Sequence, residues 1–310
     1  MLPYFPFGDR FNDKMGTRPI SESEPLVEVD GHYQTETDLK RRLLGEYINY
    51  YYQAQPGHET AQWDVLALIL QNLVRFSPGQ FSLTTNGNRW QWHNALLNET
   101  TDFIFDDAST LPHDPLDWVG RQVQEDLVLL AGNDARLVAG QLCFGNGWCL
   151  DEKIGLPFWD IHAPITPIVE PMMQAAQTLM TRLPVGRPVW RLNWSVKVTD
   201  QLDMTNRHTP ALDRLLADTL PTLTPATIGE KLFIRIERQT LTRLPRSGAV
   251  LFGIHTYQNL LAHEAANPER AAGMKRVFET TPAAMIAYKS MAGFLPTLLT
   301  YLEMQAKPAP

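Results

Sequence analysis

The chain has 310 residues, enough for one large domain or two small ones. Its apolar share of 44% is enough to fill a sizeable core. A formal charge of −7 argues against a nucleic-acid binder, which would carry a basic face.

Residues 1–36 are rich in Pro, Gly, Asp and Glu and hold scattered rings (Tyr4, Phe5, Phe7, Phe11). This predicts an extended arm whose aromatics pack on its own domain or on a neighbour. From Thr37 to Gln53, Leu39, Leu43, Leu44, Tyr47, Ile48 and Tyr51 recur at helical spacing, and Pro56-Gly57 ends the run. A second helix is predicted over Thr60–Arg75. Phe81–Thr84 and Arg89–His93 flank an Asn-Gly turn, the signature of a hairpin. Glu99–Asp107 reads as an acidic loop, Asp114–Leu130 as a helix with Pro115 near its start, and Leu137–Phe144 as a strand broken by Gly145-Asn146-Gly147. Ile168–Leu183 carries an apolar helical stripe. Arg187–Thr199 alternates as a strand, with Trp190, Leu192, Trp194 and Val196 on one face and Arg191, Asn193, Ser195 and Lys197 on the other.

Asp200–Gly229 is loop-rich. Lys231–Tyr257 then reads as two strands around Leu244-Pro245-Arg246-Ser247-Gly248, where Pro fixes φ and Gly permits positive φ. Ile234 and Ile236 oppose Arg235 and Glu237; Val250, Phe252 and Ile254 oppose Leu251, Gly253, His255 and Tyr257. Gln258–Tyr301 is helical, with Pro268 at a helix start, and residues 305–310 form a tail expected to be disordered. The whole reads as one α+β domain over residues 37–304, an antiparallel sheet with helices at its edges and over one face.

The hairpin holds Arg235, Glu237, Arg238, Arg243 and Arg246 in otherwise apolar strands. Such charges form either a solvated face with cross-strand ion pairs or a pocket wall for an anionic or polar ligand. Phosphate-binding glycine loops, HExxH, GxSxG and CxxCH are absent from the sequence. Cys143 and Cys149 fit neither a zinc pattern nor a disulfide framework. No run approaches the ~18 apolar residues of a spanning helix. The first residues lack the basic and apolar regions of a signal peptide. The expectation is a cytoplasmic protein without membrane or nucleic-acid partners.

Three stretches, taken together, resemble a known family. They are Trp190-Arg191-Leu192-Asn193-Trp194-Ser195; Arg235 to Leu241 running into Arg243-Leu244-Pro245-Arg246-Ser247-Gly248 and on to Phe252-x-Ile254-x-Thr256-Tyr257; and Lys153-x-Gly155 leading to Ile161-His162-x-Pro164. In order and spacing the chain is similar to haem-dependent oxidative N-demethylase catalytic subunits. The resemblance implies a PAS-like antiparallel sheet with flanking helices enclosing a non-covalent haem b. It implies a monooxygenase acting on a small alkylamine with dioxygen, as the characterised relative acts on dimethylamine. Electrons would come from a separate flavin and iron–sulfur reductase subunit, since this chain carries no such motifs. A non-catalytic PAS-like haem or small-molecule sensor is the alternative, as is a structural subunit that has lost its haem. The chain shows no fused output element, which favours the enzyme.

Under that resemblance His162 is the axial iron ligand, set among Pro164, Pro167, Ile161 and Ile165; otherwise it is a buried or capping histidine. His255 is the second choice of ligand, or a core-edge histidine bonded across the sheet. His208 reads as a surface residue. Arg191, Arg238 and Arg243 are candidates for the haem propionates, because guanidinium pairs carboxylates bidentately, or else they pair with acids such as Glu237. Glu237 holds a substrate ammonium or simply an arginine. Trp194 packs on the porphyrin face or in the core.

Overall fold

The computed structural model describes residues 1–163 and 165–307, so Pro164 and the last three residues of the predicted tail lie outside the described residues. Its strands are β1 (Arg18–Pro19), β2 (Tyr52–Ala54), β3 (Phe81–Asn86), β4 (Arg89–Asn94), β5 (Glu99–Ile104), β6 (Asp126–Ala131), β7 (Arg136–Gln141), β8 (Val189–Lys197), β9 (Phe233–Arg243) and β10 (Val250–Leu260). Seven form one sheet in the order β1-β8-β9-β10-β6-β7-β2, every pairing antiparallel. The remaining three form a small sheet, β3-β4-β5. No helix among the described residues is long and apolar enough to cross a membrane.

The β9–β10 hairpin lies at the centre of the large sheet, paired from Val250↔Arg243 to Leu260↔Phe233. Gly248 takes a φ of 69° in its turn, which is why glycine stands there. One oxygen of Asp64, on the helix Glu59–Phe76, accepts bonds from the Arg246 and Ser247 amides and the Ser247 hydroxyl. That contact fixes the turn against the helical layer.

Strand alternation divides the sheet into two faces. On one, Ile234, Ile236, Trp194, Val196 and Tyr257 pack under the helices Leu261–Ala265, Pro268–Thr280 and Leu295–Gln305, together with Leu2 and Phe7 of the arm. Farther along, Leu127, Leu129 and Leu251 meet the helix Glu59–Phe76 and the small sheet. The opposite face carries Val128, Leu241 and Val250 under Met173, Ala176 and Met180 of the helix Thr166–Arg182. Beside that apolar patch, the same face turns polar along β8 and β9.

Several segments differ from the sequence expectation. The acidic loop at 99–107 begins as β5, because Phe103 packs against Trp63 and Trp90 and closes the small sheet. The predicted helix over 114–130 is a short helix, Pro115–Gly120, followed by β6. Asp126 to Leu130 is buried throughout, and a strand covered on both faces loses the alternation that distinguishes it from a helix. Residues 209–219, expected in a loop, form a helix with Pro210 in its first turn. The first helix starts at Tyr33, and Gln305 still belongs to the last one.

Candidate functional site

Pairing of β8 with β9 sets Arg191 opposite Gln239, Asn193 opposite Glu237 and Ser195 opposite Arg235. Directly paired residues share a face, so the sequence alternation alone concentrates these polar groups on one surface. Glu237 is 7% exposed and accepts from Gln239 Nε2 at 3.0 Å, Asn193 Nδ2 at 3.2 Å and Asn146 Nδ2 at 3.4 Å, with Arg235 Nε at 3.6 Å. Burial raises its pKa, but Arg235 and the amide donors prevail and hold it below the usual carboxylate range. Arg235 is fully buried and donates to the carbonyls of Leu202 (3.0 Å) and Phe144 and to Thr256 Oγ1 (3.3 Å).

Three more cations converge on this carboxylate. Arg191 donates to Gln239 Oε1 at 3.3 Å and reaches Met172 Sδ at 3.9 Å, while its buried Nε has no partner. Lys289 donates to Trp194 O at 2.6 Å and Asn193 Oδ1 at 3.4 Å. Lys197 stands farther along β8. Burial lowers all three pKa values, the two lysines to about 8, and Glu237 is the carboxylate that opposes the shift in each case. Positive charge therefore exceeds negative on a partly desolvated surface, the setting for an anionic ligand.

His162 ends the short helix Phe158–His162, its ring 4.3 Å from that of Phe158. Its Nδ1 lies 2.9 Å from the Phe158 carbonyl, which only accepts, so Nδ1 carries the proton and Nε2 the lone pair. Burial pushes the ring's pKa down, Lys153 and Arg191 add to that, and the Phe158 carbonyl opposes without reversing it. A neutral imidazole oriented through Nδ1 is the form that ligates a metal. Trp159, Ile161, Ile165 and Met172 belong to the apolar cluster here. Among the described residues no group of three or more His, Cys, Asp or Glu is placed to hold a metal. His162 Nε2 can offer one lone pair, and the cations can pair with carboxylates.

The other predicted residues lie elsewhere. His255, Arg238 and Trp194 face the opposite side of the sheet. His255 is fully buried, with Nδ1 3.0 Å from Glu125 and Nε2 3.6 Å from Asp30. Burial works against its charge, but Glu125 and Asp30 raise its pKa to about 10. His255 thus sits in a buried ion pair on the face away from Glu237. Arg238 donates to the carbonyls of Leu26 (3.0 Å) and Pro25 (2.6 Å) and lies 3.6 Å from Glu28, so it holds the arm. Trp194 packs in the core with Phe7 and Phe278, although Lys289 Nζ stands 4.5 Å over its ring.

Arg243 shares the Glu237 face but sits at its end. It donates to the carbonyls of Leu183, Thr181 and Met180 and of Gly248, closing the helix Thr166–Arg182. His208, expected at the surface, is partly buried against Asp203 at 2.9 Å. Lys197, Asn193, Gln239 and Asn146 were not singled out by the sequence reading, although strand alternation marks the first three as facing Glu237. Lys289 had no local signal, since its helix returns from far downstream.

A cavity of about 160 Å³ opens between the end of β8, the Asn146-Gly147 loop, the helix Thr209–Thr219 and Lys289. A wider hollow of about 470 Å³ lies on the small sheet, around Trp90, Arg89 and Asp102, apart from the charged face. A family model described as haem-dependent oxidative N-demethylase, alpha subunit-like, matches residues 17–299.

Proposed function

Because the chain belongs to the haem-dependent oxidative N-demethylase, alpha subunit-like family, we propose that the polar face of β8 and β9, with His162 beside it, holds haem b non-covalently and that the protein demethylates a small amine. The observation that carries this reading is a neutral His162 ring, fixed through Nδ1, near Arg191, whose buried Nε has no partner among the described residues. Haem b asks for those two things: one axial nitrogen and partners for two propionates. In this reading the antiparallel sheet with its flanking helices is a PAS-like frame.

His162 would offer its Nε2 to the haem iron, its ring fixed by the Phe158 carbonyl. Arg191, whose Nε has no partner among the described residues, would receive a propionate. Trp159, Ile161 and Met172 limit water on the ligand side. Glu237, kept ionised by Arg235 and its amide donors, attracts the substrate's ammonium. Bound haem would supply reductive activation of dioxygen; one oxygen atom leaves with the N-methyl carbon as formaldehyde and the other as water, with two electrons drawn from a partner flavin and iron–sulfur reductase and two protons from solvent.

The test is the visible spectrum of protein expressed with a haem precursor, oxidised, reduced and exposed to carbon monoxide. A Soret band that responds to both treatments in wild type, and shifts or vanishes in His162→Ala, is the expected result. An amine screen reading formaldehyde follows. A protein that stays colourless with added hemin, or a His162→Ala spectrum identical to wild type, overturns the cofactor reading or the ligand assignment respectively.

A further inference from the structure

The cavity at the end of β8 has a composition that a bare alkylamine does not match. Its volume of about 160 Å³ is several times the ~30 Å³ share of one liquid water, so it admits a ligand of a few heavy atoms. Lys197 and Lys289 both line it. Lys197 has no hydrogen-bond or ion-pair partner among the described residues; Arg235, Glu237 and Lys289 are the charges near it. Lys289 uses its contacts on two neutral oxygens, Trp194 O and Asn193 Oδ1, which leaves an ammonium donor over. Glu237 is occupied by Arg235, Asn146, Asn193 and Gln239 and does not neutralise the pair. Asp213 is the carboxylate at the rim, and it is exposed.

An alkylammonium entering this cavity meets like charge from both lysines. A carboxylate on the same molecule reverses the sign. In an α-amino acid one carbon separates the carboxylate from the nitrogen, so a carboxylate on the lysines leaves the amino group close by. Glu237 does not itself line the cavity, but Asn146 does and donates to the Glu237 carboxylate at 3.4 Å, so that carboxylate stands one side chain behind the wall.

We propose that this cavity receives the carboxylate of a zwitterionic N-methylated amino acid, held by Lys197 and Lys289, with its methylammonium directed toward Glu237. The proposal deepens the demethylase reading and rests on it for the reaction, but not for the binding. A carboxylate on these lysines has a second source, a haem propionate, and the experiment separates the two.

N-methylglycine and dimethylamine are titrated by calorimetry into the haem-free full chain, and hemin by absorbance. N-methylglycine is expected to bind about tenfold or more tightly than dimethylamine, and to weaken by about tenfold or more in Lys197→Met and in Lys289→Met, equivalent to about 1.4 kcal/mol each. Far-UV circular dichroism checks the fold, with Lys197→Gln and Lys289→Gln used if the Met variants lose theirs; Lys197→Arg should retain binding. Equal affinities for the two amines, or no binding of N-methylglycine, overturn the proposal. So do lysine variants that lose hemin affinity but bind N-methylglycine as wild type does, since the lysines then serve a propionate. Lysine-dependent binding of N-methylglycine by a protein that takes up no hemin upholds the carboxylate site and sinks the demethylase reading instead.

Discussion

Two buried charges on opposite faces of the sheet make opposite demands on the fold. His255 has a folded pKa of about 10, against 6.5 when unfolded, through Glu125 and Asp30 and in spite of burial. A raised pKa stabilises fully below about pH 6.5, and the contribution is lost as pH rises toward 10. Glu125 and Asp30 are held low, so their share is present above the ordinary carboxylate range and lost only in acid. Lys197 and Lys289, depressed to about 8, act in the reverse sense: their penalty is relieved between pH 8 and 10.5. The difference between wild type and His255→Gln isolates the histidine. It should be about 3–5 kcal/mol near pH 6, the cost of leaving Glu125 buried without its partner, and should shrink steadily by pH 9.5 in urea titrations; a pH-independent difference would refute the ion pair. Glu237→Gln should cost a similar ~3–5 kcal/mol by stranding Arg235, read by the same titration, and a variant within experimental error of wild type would count against the charge accounting on that face. Little of this was legible in the sequence. Alternation along β8 and β9 places Arg191 and Glu237 together, and Phe158 O reaches His162 from one helical turn away, but the burial around His162 and the Asp30 and Glu125 carboxylates beside His255 are brought to them only by the tertiary fold.

At the scale of elements, the helix Thr166–Arg182 covers the sheet face that carries the site, and Arg243 of β9 holds its end. Its guanidinium satisfies carbonyls that the last turn leaves without helical partners. Arg243→Met should lower stability by about 2 kcal/mol, in line with charge-assisted bonds to neutral carbonyls. It should also speed amide hydrogen exchange over residues 176–183; exchange unchanged there, with loss confined to the hairpin turn, would show that Arg243 serves Gly248 alone. The hairpin and β8 were readable because each has one polar and one apolar face. β6 was not, because burial on both sides removed the alternation, and β5 was obscured by acids that turn out to sit on its outer face and at its end. The helix Thr209–Thr219 was masked by flanking prolines, one of which is a helix starter.

For the molecule as a whole, the sequence reading expects the rings of residues 1–36 to pack on their own domain or on a neighbour, and the fold uses these residues as a strap across the sheet. Phe7 sits 5.4 Å from both Trp194 and Phe278, and the Leu2 amide donates to Glu264 at 2.8 Å. Arg18 and Pro19 pair with the edge of β8, and Arg238, on the same face as Trp194, grips Pro25 and Leu26. Asp30 and Glu28 then contribute to the charge network around His255 and Tyr257. The rings marked the arm as a packing segment, but its path was not legible, since they are spaced for contacts along a path and not for a helix or strand face. Removing residues 1–16 takes away Leu2 and Phe7, each worth about 1.5–3 kcal/mol when buried, and bares Trp194 and Phe278. A loss of about 3–6 kcal/mol is a large part of a domain's usual stability of ~5–15 kcal/mol. The truncated chain should therefore melt well below wild type and bind a hydrophobic dye before melting. Lys289, which lies over Trp194, should also lose its fixed position, so N-methylglycine binding should fall with the truncation. A truncated protein that keeps its melting temperature within a few degrees would show the arm to be an accessory to a core that stands without it.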